Sequence, residues 1–590
     1  MPDFRPGCAE PAEFGPGRTA ILQIDGAWHR LREPRAEFVA LRPSEVLPLL
    51  ADVEAAADAG YHLAGFVAYE AAAAVELACH GPSENLPLAA FTVFERLEPY
   101  DARELIAAAS DLPDIEWRPQ MSDECHAAAV SRIRAHLAAG DTYQVNLTFP
   151  MTAEFSTDPF ALFAHMARAQ RSSCAAYLDF GRFAICSASP EIFFSRDGDR
   201  LTMRPMKGTA ARGRTLAEDR RRKETLRRSP KERAENLMIV DMIRNDLGRI
   251  ARPGTVRADD LYRVETFPTV LQMTSKVTAE SSASLADVFS ATFPCGSVTG
   301  APKFRTAQII HELEQAPRGV YTGAVGYVGP GRKARFNVAI RTATVDRIRG
   351  EATYGVGSGI VWDSRAGREY AECIAKARVL AVDVSPFSLL ETMRWEPGHG
   401  YLLMDRHLRR LAGSARFFGF PYDASHIKQA LTVVATGDEA LRVRLLVDED
   451  GTPRVETAPL APTPPVPVRV AFARDPVDPS DRLLYHKTTR RFTYEDAKAS
   501  RRGCDQVLLW NSEGLITETN IANVAVQRIG CWVTPPVSDG LLPGTLRAEL
   551  LAGGLLEEAS IPVSEVVDGA PIAVFNSVSG WRLASLVTGD

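Results

Sequence analysis

The sequence predicts a mixed α+β protein built from two domains of unequal size. At 590 residues the chain is too long to fold around a single hydrophobic core. Strand-like apolar runs such as "RFAICSAS", "EIFFSRD" and "ATYGVGSGIVW" are interspersed with segments of helical periodicity, which indicates strands and helices throughout. Two joints interrupt the chain, at 381–393 ("AVDVSPFSLLETM") and at 458–470 ("APLAPTPPVPVRV"). Because proline disrupts helices and inner strands, we interpret the second joint as a stiff connector within the smaller segment.

In the large segment, a long helix is predicted over "SPKERAENLMIVDMIRNDLGRI". Ser229 suits the N-cap, Pro230 suits the first turn, and Glu232 at the third position completes a capping box. In the smaller segment, "FSLLETMRWEPGHGYLLM" predicts a hairpin that turns at residues 397–400. The next helix, "DRHLRRLAGSARFFGF", has an apolar face made of Leu408, Leu411, Ala412 and Ala415.

Composition excludes some classes of function. The chain is 45% hydrophobic and 24% charged, with a formal net charge of −6, which is ordinary for a globular protein. No overall basic field favours nucleic acid as a partner. The basic run at 212–228 ("RGRTLAEDRRRKETLRR") is interrupted by acidic residues, so a solvated face is favoured over a phosphate-binding patch.

The sequence also predicts a cytoplasmic protein without a membrane segment. Nine cysteines are dispersed without a C-x-x-C pair, which favours reduced thiols over disulfides or a zinc site. The N-terminal stretch has no apolar signal core, and no run approaches the roughly 18 apolar residues that span a bilayer.

Lys207, in "LTMRPMKGTAAR", is the first candidate for chemistry. Most lysines are surface residues, and Lys207 taken alone is best interpreted as one. A desolvated lysine, however, is a nucleophile.

Two pairs of carboxylates suggest a metal site. Glu232 and Glu235 are three residues apart on one predicted helix, and Glu369 and Glu372 on another, so each pair projects from one helical face. Such oxygen ligands suit Mg²⁺, although spacing alone favours salt-bridged surfaces. The loop "GSVTGAPK" does not match a P-loop, because Ala301 and Pro302 separate its second glycine from Lys303.

An ordered series of motifs then identifies the large segment. It runs through "GDTYQVNLT", "SASPEIFF", "RPMKGT", "SPKERAENLMIVDMIRNDLGR", "GSVTGAPK", "RGVYTGAVGY", "FNVAIRT", "GVGSGIVWDS" and "EYAECIAKA". The series resembles the chorismate-utilising enzymes, and the resemblance covers nearly all of residues 1–381. It implies a two-sheet β-sandwich flanked by helices.

The resemblance implies a role for each matching position. Glu191 would be the general acid that protonates the departing C4 hydroxyl. Arg341 and Tyr321 would bind the enolpyruvyl carboxylate of chorismate. The implied Mg²⁺ ligands are Glu235 and Glu372, with Glu232 and Glu369 as water-linked partners. The residues implied to line the substrate are Ser297, Gly357, Ser358 and Gly359.

Two positions discriminate within this family. Members that add water carry a lysine where this chain has Gln144, so the resemblance implies ammonia as the nucleophile. Anthranilate synthases carry alanine where this chain has Lys207, whereas a lysine there marks the aminodeoxychorismate synthases. Lys207 would attack ring C2 as the C4 hydroxyl leaves, and ammonia would then add at C4. Gln272 departs from the family, since relatives carry histidine at that place.

The smaller segment presents a second lysine, Lys487, in "LLYHKTTRRFTYEDA". Alone, it is best interpreted as a turn residue. Its context, with "SLLETMR", "RHLRRL", "LLWNSEGLITETNIANV" and "GLLPGTLRAELL", resembles the fold-type IV pyridoxal-phosphate (PLP) enzymes over residues 386–590. The resemblance implies a fold of two α/β subdomains joined near 458–470 and a homodimer through this segment.

Here too the resemblance assigns residues. Lys487 would form the Schiff base with PLP and shuttle protons, and Glu518 would pair with the pyridine nitrogen. Arg410 would bind the cofactor phosphate. Further phosphate contacts are implied for Thr545, Leu546 and Ser577. Relatives often carry arginine where Ser579 stands.

Together the two segments imply one short pathway, with 1–381 as the chorismate-binding domain, 382–385 as a linker and 386–590 as the PLP domain. Chorismate and ammonia would give 4-amino-4-deoxychorismate, and elimination of pyruvate would give 4-aminobenzoate, a folate precursor. Ammonia would come from a separate glutamine amidotransferase subunit. The motifs alone leave lyase and aminotransferase open, and the fusion favours the lyase. The alternatives are a transaminase of unrelated substrate, or one half acting as a scaffold for the amidotransferase.

Overall fold

The structure, a computed structural model, describes residues 18–83, 85–462 and 466–587. The N-terminal stretch without a signal core and part of the proline-rich joint therefore lie outside the described residues. The chain divides into two units. The first runs to Ala211 and resumes over Arg222–Ser385, and the second comprises Arg212–Arg221 and the chain from Pro386 onward.

Among its described residues, the first unit contains eighteen strands, all paired antiparallel. They are β1 (Thr19–Ile24), β2 (Ala27–Ala40), β3 (His62–Val67), β4 (Ala89–Pro99), β5 (Arg118–Pro119), β6 (Gln144–Glu154), β7 (Ala176–Asp179), β8 (Phe183–Ser187), β9 (Ile192–Asp197), β10 (Arg200–Arg204), β11 (Met206–Ala211), β12 (Arg257–Thr266), β13 (Val270–Glu280), β14 (Gly300–Ala301), β15 (Ala324–Gly329), β16 (Lys333–Val338), β17 (Thr342–Asp346) and β18 (Glu351–Ile360).

Its helices flank this sheet. They are α1 (Pro43–Asp58), α2 (Arg103–Ala109), α3 (Asp123–Ala139), α4 (Pro159–Gln170), α5 (Leu216–Arg228, the start of which groups with the second unit), α6 (Pro230–Gly248), α7 (Leu285–Thr292), α8 (Lys303–Leu313) and α9 (Ala366–Lys376).

The strands form one continuous ladder that folds back on itself. Its order is β6–β18–β17–β8–β7–β1–β2–β4–β3–β15–β16–β9–β10–β13. One buried core contains side chains from both halves of the ladder, including Leu22, Phe66, Leu178 and Val325. Two further cores contain residues of the helices, one with α1, α6 and α7 and the other with α2, α4 and α9. The predicted mixed α+β class is confirmed, and the two expected sheets are continuous through the β1–β2 pair.

Helix α6 begins as predicted, with one difference. The Ser229 hydroxyl accepts a hydrogen bond from the Glu232 N–H at 3.4 Å. The reciprocal half of the predicted capping box is wrong, because the Ser229 N–H donates to the Leu226 carbonyl at 3.2 Å. The preceding helix therefore satisfies this donor.

The second unit contains two sheets. Its strands are β19 (Leu389–Glu396), β20 (Gly400–Tyr401), β21 (Leu441–Val447), β22 (Pro453–Pro459), β23 (Val468–Phe472), β24 (Gln506–Trp510), β25 (Leu515–Thr519), β26 (Asn523–Arg528), β27 (Cys531–Thr534), β28 (Glu557–Glu558), β29 (Ile561–Pro562), β30 (Ile572–Asn576) and β31 (Gly580–Leu586). Its helices are α10 (Met404–Phe418), α11 (Ala424–Val434), α12 (Phe492–Ala499) and α13 (Thr545–Ala552).

The two sheets have separate cores. The four-stranded sheet, in the order β20–β19–β21–β22, packs against α10 and α11. The nine-stranded sheet contains β23–β31 and has its own core. The predicted hairpin is confirmed by the pairing of Glu396 with Gly400. The apolar face of α10 is confirmed at Leu408, Leu411 and Ala415, whereas Ala412 is only partly buried.

Within the described residues, no helix combines the length and the hydropathy that crossing a membrane requires.

Candidate active sites

The first site forms around Lys207 on β11. Its Nζ lies 3.5 Å from Oε2 of Glu235 on α6, and both side chains are 19% exposed. A Cβ added at Gly359 on β18 would lie 2.9 Å from this Nζ. The glycine at 359 lets the amine rest against the backbone of β18, and a larger residue there would make the amine shift.

Hydrogen bonds fix the main chain that carries Lys207. The Asn236 Nδ2 donates to the Lys207 carbonyl at 3.1 Å, and Gln272 Nε2 donates to the Gly208 carbonyl at 2.9 Å. The Ser275 hydroxyl in turn donates to Asn236 at 2.6 Å. Gln272 thus holds the backbone beside the lysine. Sequence reasoning missed Asn236, although it follows Glu235 directly on the acidic helix.

Glu191 lies almost completely buried at the start of β9, with 3% of its surface exposed. Burial raises its pKa to about 7, against opposing contributions from a Ser297 hydrogen bond, the Met206 N–H and the Lys207 charge. One of its carboxylate oxygens has no hydrogen-bond partner among the described residues. Glu191 is therefore able to carry a proton near neutral pH and to present an open polar atom.

Gln144, the first residue of β6, adds two more open polar atoms. Its side chain is fully buried, and neither its amide oxygen nor its amide nitrogen has a partner in the part of the chain that the structure describes. A Cβ at Gly359 would also lie 3.1 Å from Gln144 Nε2, so this amide and the Lys207 amine face the same point of β18. Buried polar atoms without partners carry a free-energy cost, and a bound polar molecule would satisfy them.

The predicted metal residues are only partly assembled. Burial and the nearby charges of Glu235 and Glu372 raise the pKa of Glu232, so these three carboxylates lie in one neighbourhood. Glu372 pairs with Lys376 at 2.7 Å. Glu369 instead influences His126 electrostatically. No group of three His, Cys, Asp or Glu side chains close enough to hold a metal occurs among the described residues.

This donor set nevertheless fits a hard cation in part. Three carboxylates that repel one another offer the oxygen ligands that Mg²⁺ prefers, with water and substrate completing its shell. Glu369 lies one helical turn before Glu372 on α9, and its place in the same set stays a prediction.

The remaining predicted substrate residues surround the same face of β18. Arg341 has a left-handed backbone (φ +50°) and donates to the Lys376 carbonyl. The Tyr321 ring packs where a Cβ of Gly355 would stand, and burial raises the pKa of its hydroxyl. A cavity of about 350 Å³ borders Tyr321 and Gly355. Because side chains alternate along a strand, Gly357 and Gly359 share this face, whereas Ser358 contributes its backbone.

The second site forms around Lys487. Burial lowers the pKa of its amine to about 8, and the charges of Arg410 and Arg491 lower it further, against Glu391 and Glu518. The Leu390 N–H donates to the Lys487 carbonyl at 2.9 Å, which ties the lysine to β19.

Glu518 on β25 is the buried acid of this site. Burial raises its pKa to about 7, although the Leu542 N–H, Tyr494 and the positive charges of Arg491 and Lys487 oppose the rise. The Tyr494 hydroxyl donates to Glu518 Oε1 at 2.8 Å, and the Leu542 N–H donates to the same oxygen at 3.0 Å. A buried carboxyl with this pKa suits a partner that shares its proton, as a pyridine nitrogen does.

Arg410 on α10 forms a two-pronged ion pair with Glu391 on β19. The Arg410 Nη2 lies 2.6 Å from Glu391 Oε2, and Nη1 donates to the Pro543 carbonyl at 3.1 Å. His407 Nδ1 contacts the same carboxylate at 2.7 Å, and its Nε2 lies 3.2 Å from the Thr545 hydroxyl. A phosphate at Arg410 would therefore share this guanidinium with Glu391.

Sequence reasoning missed Glu391 and His407. The i,i+3 spacing of His407 and Arg410 on one helix would have placed them together, but the carboxylate comes from another element. Thr545 opens α13, where the backbone N–H groups suit an anion. Leu546 packs against a small core with Phe575, and Ser577 lies in the turn between β30 and β31. The lysine, the acid, the arginine and the helix start together fit PLP.

Comparisons with known proteins agree with this division. A family model for chorismate binding enzymes matches residues 26–382, and one for class IV amino-transferases matches residues 388–587. Aminodeoxychorismate synthase component 1 of Klebsiella aerogenes is 41% identical over 284 residues, which is 48% of this chain and 62% of the relative. Anthranilate synthase component 1 of Aquifex aeolicus is 39% identical over 271 residues, or 45% of this chain and 54% of the relative.

Among solved structures, anthranilate synthase component I from Streptococcus pneumoniae matches with a TM-score of 0.52 and 25% identity. The match covers 64% of this chain and 95% of that structure. In both curated relatives the matched stretch spans less than two thirds of their length. Since more than half of the chain matches one family model, the chain belongs to the chorismate binding enzymes, with a class IV amino-transferase domain following on the same polypeptide.

Proposed function

We propose that the chain converts chorismate and ammonia to 4-amino-4-deoxychorismate in its first unit and then to 4-aminobenzoate and pyruvate in its second. One observation carries the proposal. The Lys207 amine rests against Gly359, 3.5 Å from Glu235 and beside the unpartnered amide of Gln144. A surface lysine, the alternative suggested by residue type, would not be held in this way.

In the first step of the proposed mechanism, the Lys207 nitrogen forms a bond to C2 of chorismate through its lone pair. The ring double bond shifts, the C4–O bond breaks, and Glu191 gives its proton to the oxygen, which leaves as water. The pKa of about 7 at Glu191 suits this task, because a general acid works best when its pKa lies near the working pH.

In the second step, ammonia bonds to C4 and the C2–N bond to Lys207 breaks. The new ammonium group returns one proton to Glu191, so the enzyme is restored and water is the only by-product. The Gln144 amide cannot remove a proton from water, but its oxygen accepts hydrogen bonds and would hold ammonia. We propose a separate glutamine amidotransferase subunit as the ammonia source, supported by the component 1 names of the relatives.

The proposed metal is Mg²⁺, held by Glu235 and Glu372 with Glu232 nearby. When bound, it would neutralise a carboxylate of the substrate and relieve the repulsion among these three side chains.

In the second unit, bound PLP would supply an electron sink for the carbanion at C4. Lys487, with a pKa of about 8, is neutral in a useful fraction near neutral pH and removes the C4 proton. The bond from C3 to the enolpyruvyl oxygen then breaks, the Lys487 ammonium gives its proton to the departing enolpyruvate, which becomes pyruvate, and the ring becomes aromatic. Glu518 would pair with the pyridine nitrogen and share its proton.

A second candidate for this unit is an aminotransferase of unrelated substrate, favoured by the match to the class IV amino-transferase model. The two differ in product. A lyase releases one pyruvate per 4-amino-4-deoxychorismate, whereas an aminotransferase exchanges an amino acid for a keto acid and leaves that compound intact. A scaffold without catalysis would do neither.

The deciding experiment supplies the full chain with chorismate, ammonium, Mg²⁺ and PLP. We expect 4-aminobenzoate and pyruvate in equal amounts by chromatography. Accumulation of anthranilate or isochorismate would overturn the proposal for the first unit, and accumulation of 4-amino-4-deoxychorismate would overturn it for the second. The cytoplasmic location and the homodimer stay predictions.

A further inference from the structure

The segment Arg212–Arg221 belongs to the second unit although it lies within the sequence of the first. Composition predicted a solvated basic face here, and that prediction is wrong for Arg212, which is buried, while Arg220 and Arg221 are exposed as expected. Arg212 and Asp219 form an ion pair at 2.7 Å with side chains only 4% and 5% exposed. Asp219 also accepts the Gly213 N–H at 2.7 Å. These contacts close the loop between β11 and α5 around a buried ion pair.

Arg214 joins this loop to the chain just before Lys487. Its Nη1 donates to the Tyr485 hydroxyl at 2.8 Å and to the Ser538 carbonyl at 3.1 Å. The guanidinium carbon lies 5.0 Å from the centre of the Tyr485 ring. Its Nη2 pairs with Glu218 at 2.6 Å. One planar guanidinium therefore contacts Glu218 on one side and the Tyr485 and Ser538 oxygens on the other.

The same loop fixes His486, the neighbour of Lys487. The carbonyl of Arg214 lies 3.1 Å from His486 Nε2, and the Ser414 hydroxyl lies 2.9 Å from Nδ1. Because a carbonyl only accepts, Nε2 carries the proton and Nδ1 accepts from Ser414. Burial lowers the pKa of His486 to about 4, so the ring stays neutral in this arrangement.

Arg212 supports the His486 ring indirectly, through Phe417. The ring stacks on Phe417 with centroids 4.3 Å apart. Arg212 donates to the Phe417 carbonyl at 3.1 Å, and its guanidinium carbon lies 4.4 Å from the centre of the Phe417 ring. Both residues that precede Lys487 are therefore held by residues 212–221.

We propose that Arg212 and Arg214 are positioning residues for Lys487, and that residues 212–221 form a brace of the PLP site. The inference rests on the proposed role of Lys487 as the residue that binds PLP. Neither arginine reaches the reacting atoms. Through their contacts with Phe417, Tyr485 and His486, they hold the backbone that precedes Lys487. This backbone sets the direction of the lysine side chain.

The test compares Arg212→Ala and Arg214→Ala with Arg220→Ala in the full chain. Arg220 is an exposed arginine of the same segment and is the matched control. PLP is titrated into each protein, and the visible absorbance of the bound cofactor is followed across pH. Because each substitution removes two or three hydrogen bonds of the brace, we expect a roughly tenfold rise in the PLP concentration for half-saturation. We also expect a shift in the pH midpoint of the absorbance change.

The control should match the wild type in both measurements. If both alanine variants also match it, the brace has no positioning role and the inference is wrong. A lysine variant, Arg214→Lys, covers the case in which Arg214→Ala does not fold. It keeps the charge but loses the fork, so an intermediate shift supports the inference and a wild-type midpoint overturns it.

If the proposed role of Lys487 in binding PLP is itself wrong, the experiment gives a different result. If the wild type shows no visible band with PLP, or if Lys487→Ala retains the wild-type band, the assignment of Lys487 is wrong whatever the arginine variants do. A fall in melting temperature with an unchanged pH midpoint would show a merely structural role for the segment and would overturn the inference.

Discussion

At the scale of single residues, small side chains decide where Lys207 can stand. Gly208 adopts a φ of +99°, which a residue with a Cβ rarely adopts, and this turn follows the lysine directly. Gly359 lacks a Cβ, which would lie 2.9 Å from the amine nitrogen and make it shift. The position of the lysine thus depends on the glycines at 208 and 359. It also depends on the hydrogen bonds that Asn236 donates to the Lys207 carbonyl and Gln272 donates to the Gly208 carbonyl.

Lys207→Ala tests this placement. We expect loss of most 4-aminobenzoate output, or diversion toward anthranilate, because no amine remains to block C2. Cleavage of supplied 4-amino-4-deoxychorismate by the second unit should be unchanged. The matched control is Lys231→Ala, since Lys231 lies 4.0 Å from the same Glu235 but is 57% exposed. Full 4-aminobenzoate output from Lys207→Ala would remove the covalent role.

Glu191 gives a prediction in pH. The general acid acts in its protonated form, so the amination rate at constant free ammonia should fall as pH rises through about 7. The Ser297 hydrogen bond stabilises the carboxylate and lowers the pKa. Ser297→Ala should therefore move the fall in rate to higher pH, whereas Ser195→Ala on β9 should not. Glu191→Gln should lower the rate by about 10²–10⁴-fold, and an unchanged pH profile in Ser297→Ala would contradict the assignment.

At the scale of elements, strand β19 and helix α10 enclose an ion pair inside an otherwise apolar layer. Glu391 is 1% exposed, and it is shared by Arg410 and His407. Burial alone would raise the pKa of Glu391, but Arg410 and His407 outweigh it and hold the pKa at about 2. Because the pKa is below its ordinary value, the stabilisation is complete above about pH 5 and is lost as pH falls toward 2.

Glu391→Gln should lower the free energy of unfolding of the second unit by about 3–5 kcal/mol, because Arg410 is left buried without a counter-charge. Hydrogen exchange of the β19 amides reports this unit separately. The control is Glu396→Gln on the same strand, where the partner Arg394 is 34% exposed. That change should cost less than about 1 kcal/mol. Equal protection in the two variants would show that the ion pair does not stabilise β19.

At the scale of the whole molecule, each unit contains a lysine beside buried acids, and the units match different families. Under the proposed function, the first site would make an amino-substituted ring that the second, with an amine of pKa about 8, is suited to deprotonate. The fusion would then place two consecutive reactions on one chain.

Mixing two inactive variants tests this connection. Neither Lys207→Ala nor Lys487→Ala should make 4-aminobenzoate from chorismate. An equimolar mixture should recover output after a lag, because each variant keeps one working unit and the intermediate passes through solution. Lys487→Ala alone should accumulate 4-amino-4-deoxychorismate by mass spectrometry. No output from the mixture would contradict independent action of the two units.

The amino-acid sequence by itself determined the fold class, both families and the types of side chain at each site. Periodicity and caps are local properties, so the hairpin at 397–400 and the start of α6 followed from neighbouring residues. The families were identified by short motifs that follow one another in a fixed order along the chain. Each motif is a run of neighbouring residues, so it can be read without knowing how the chain packs.

Only the tertiary structure decided which side chains meet. Glu391 reaches Arg410 from another element, and Gln272 on β13 donates a hydrogen bond to the Gly208 carbonyl beside Lys207. The run at 212–228 looked solvated because composition reports the charge of a segment and not its burial. Contacts between residues distant in sequence depend on how the chain packs, and packing turned Arg212 and Arg214 into supports for the chain before Lys487.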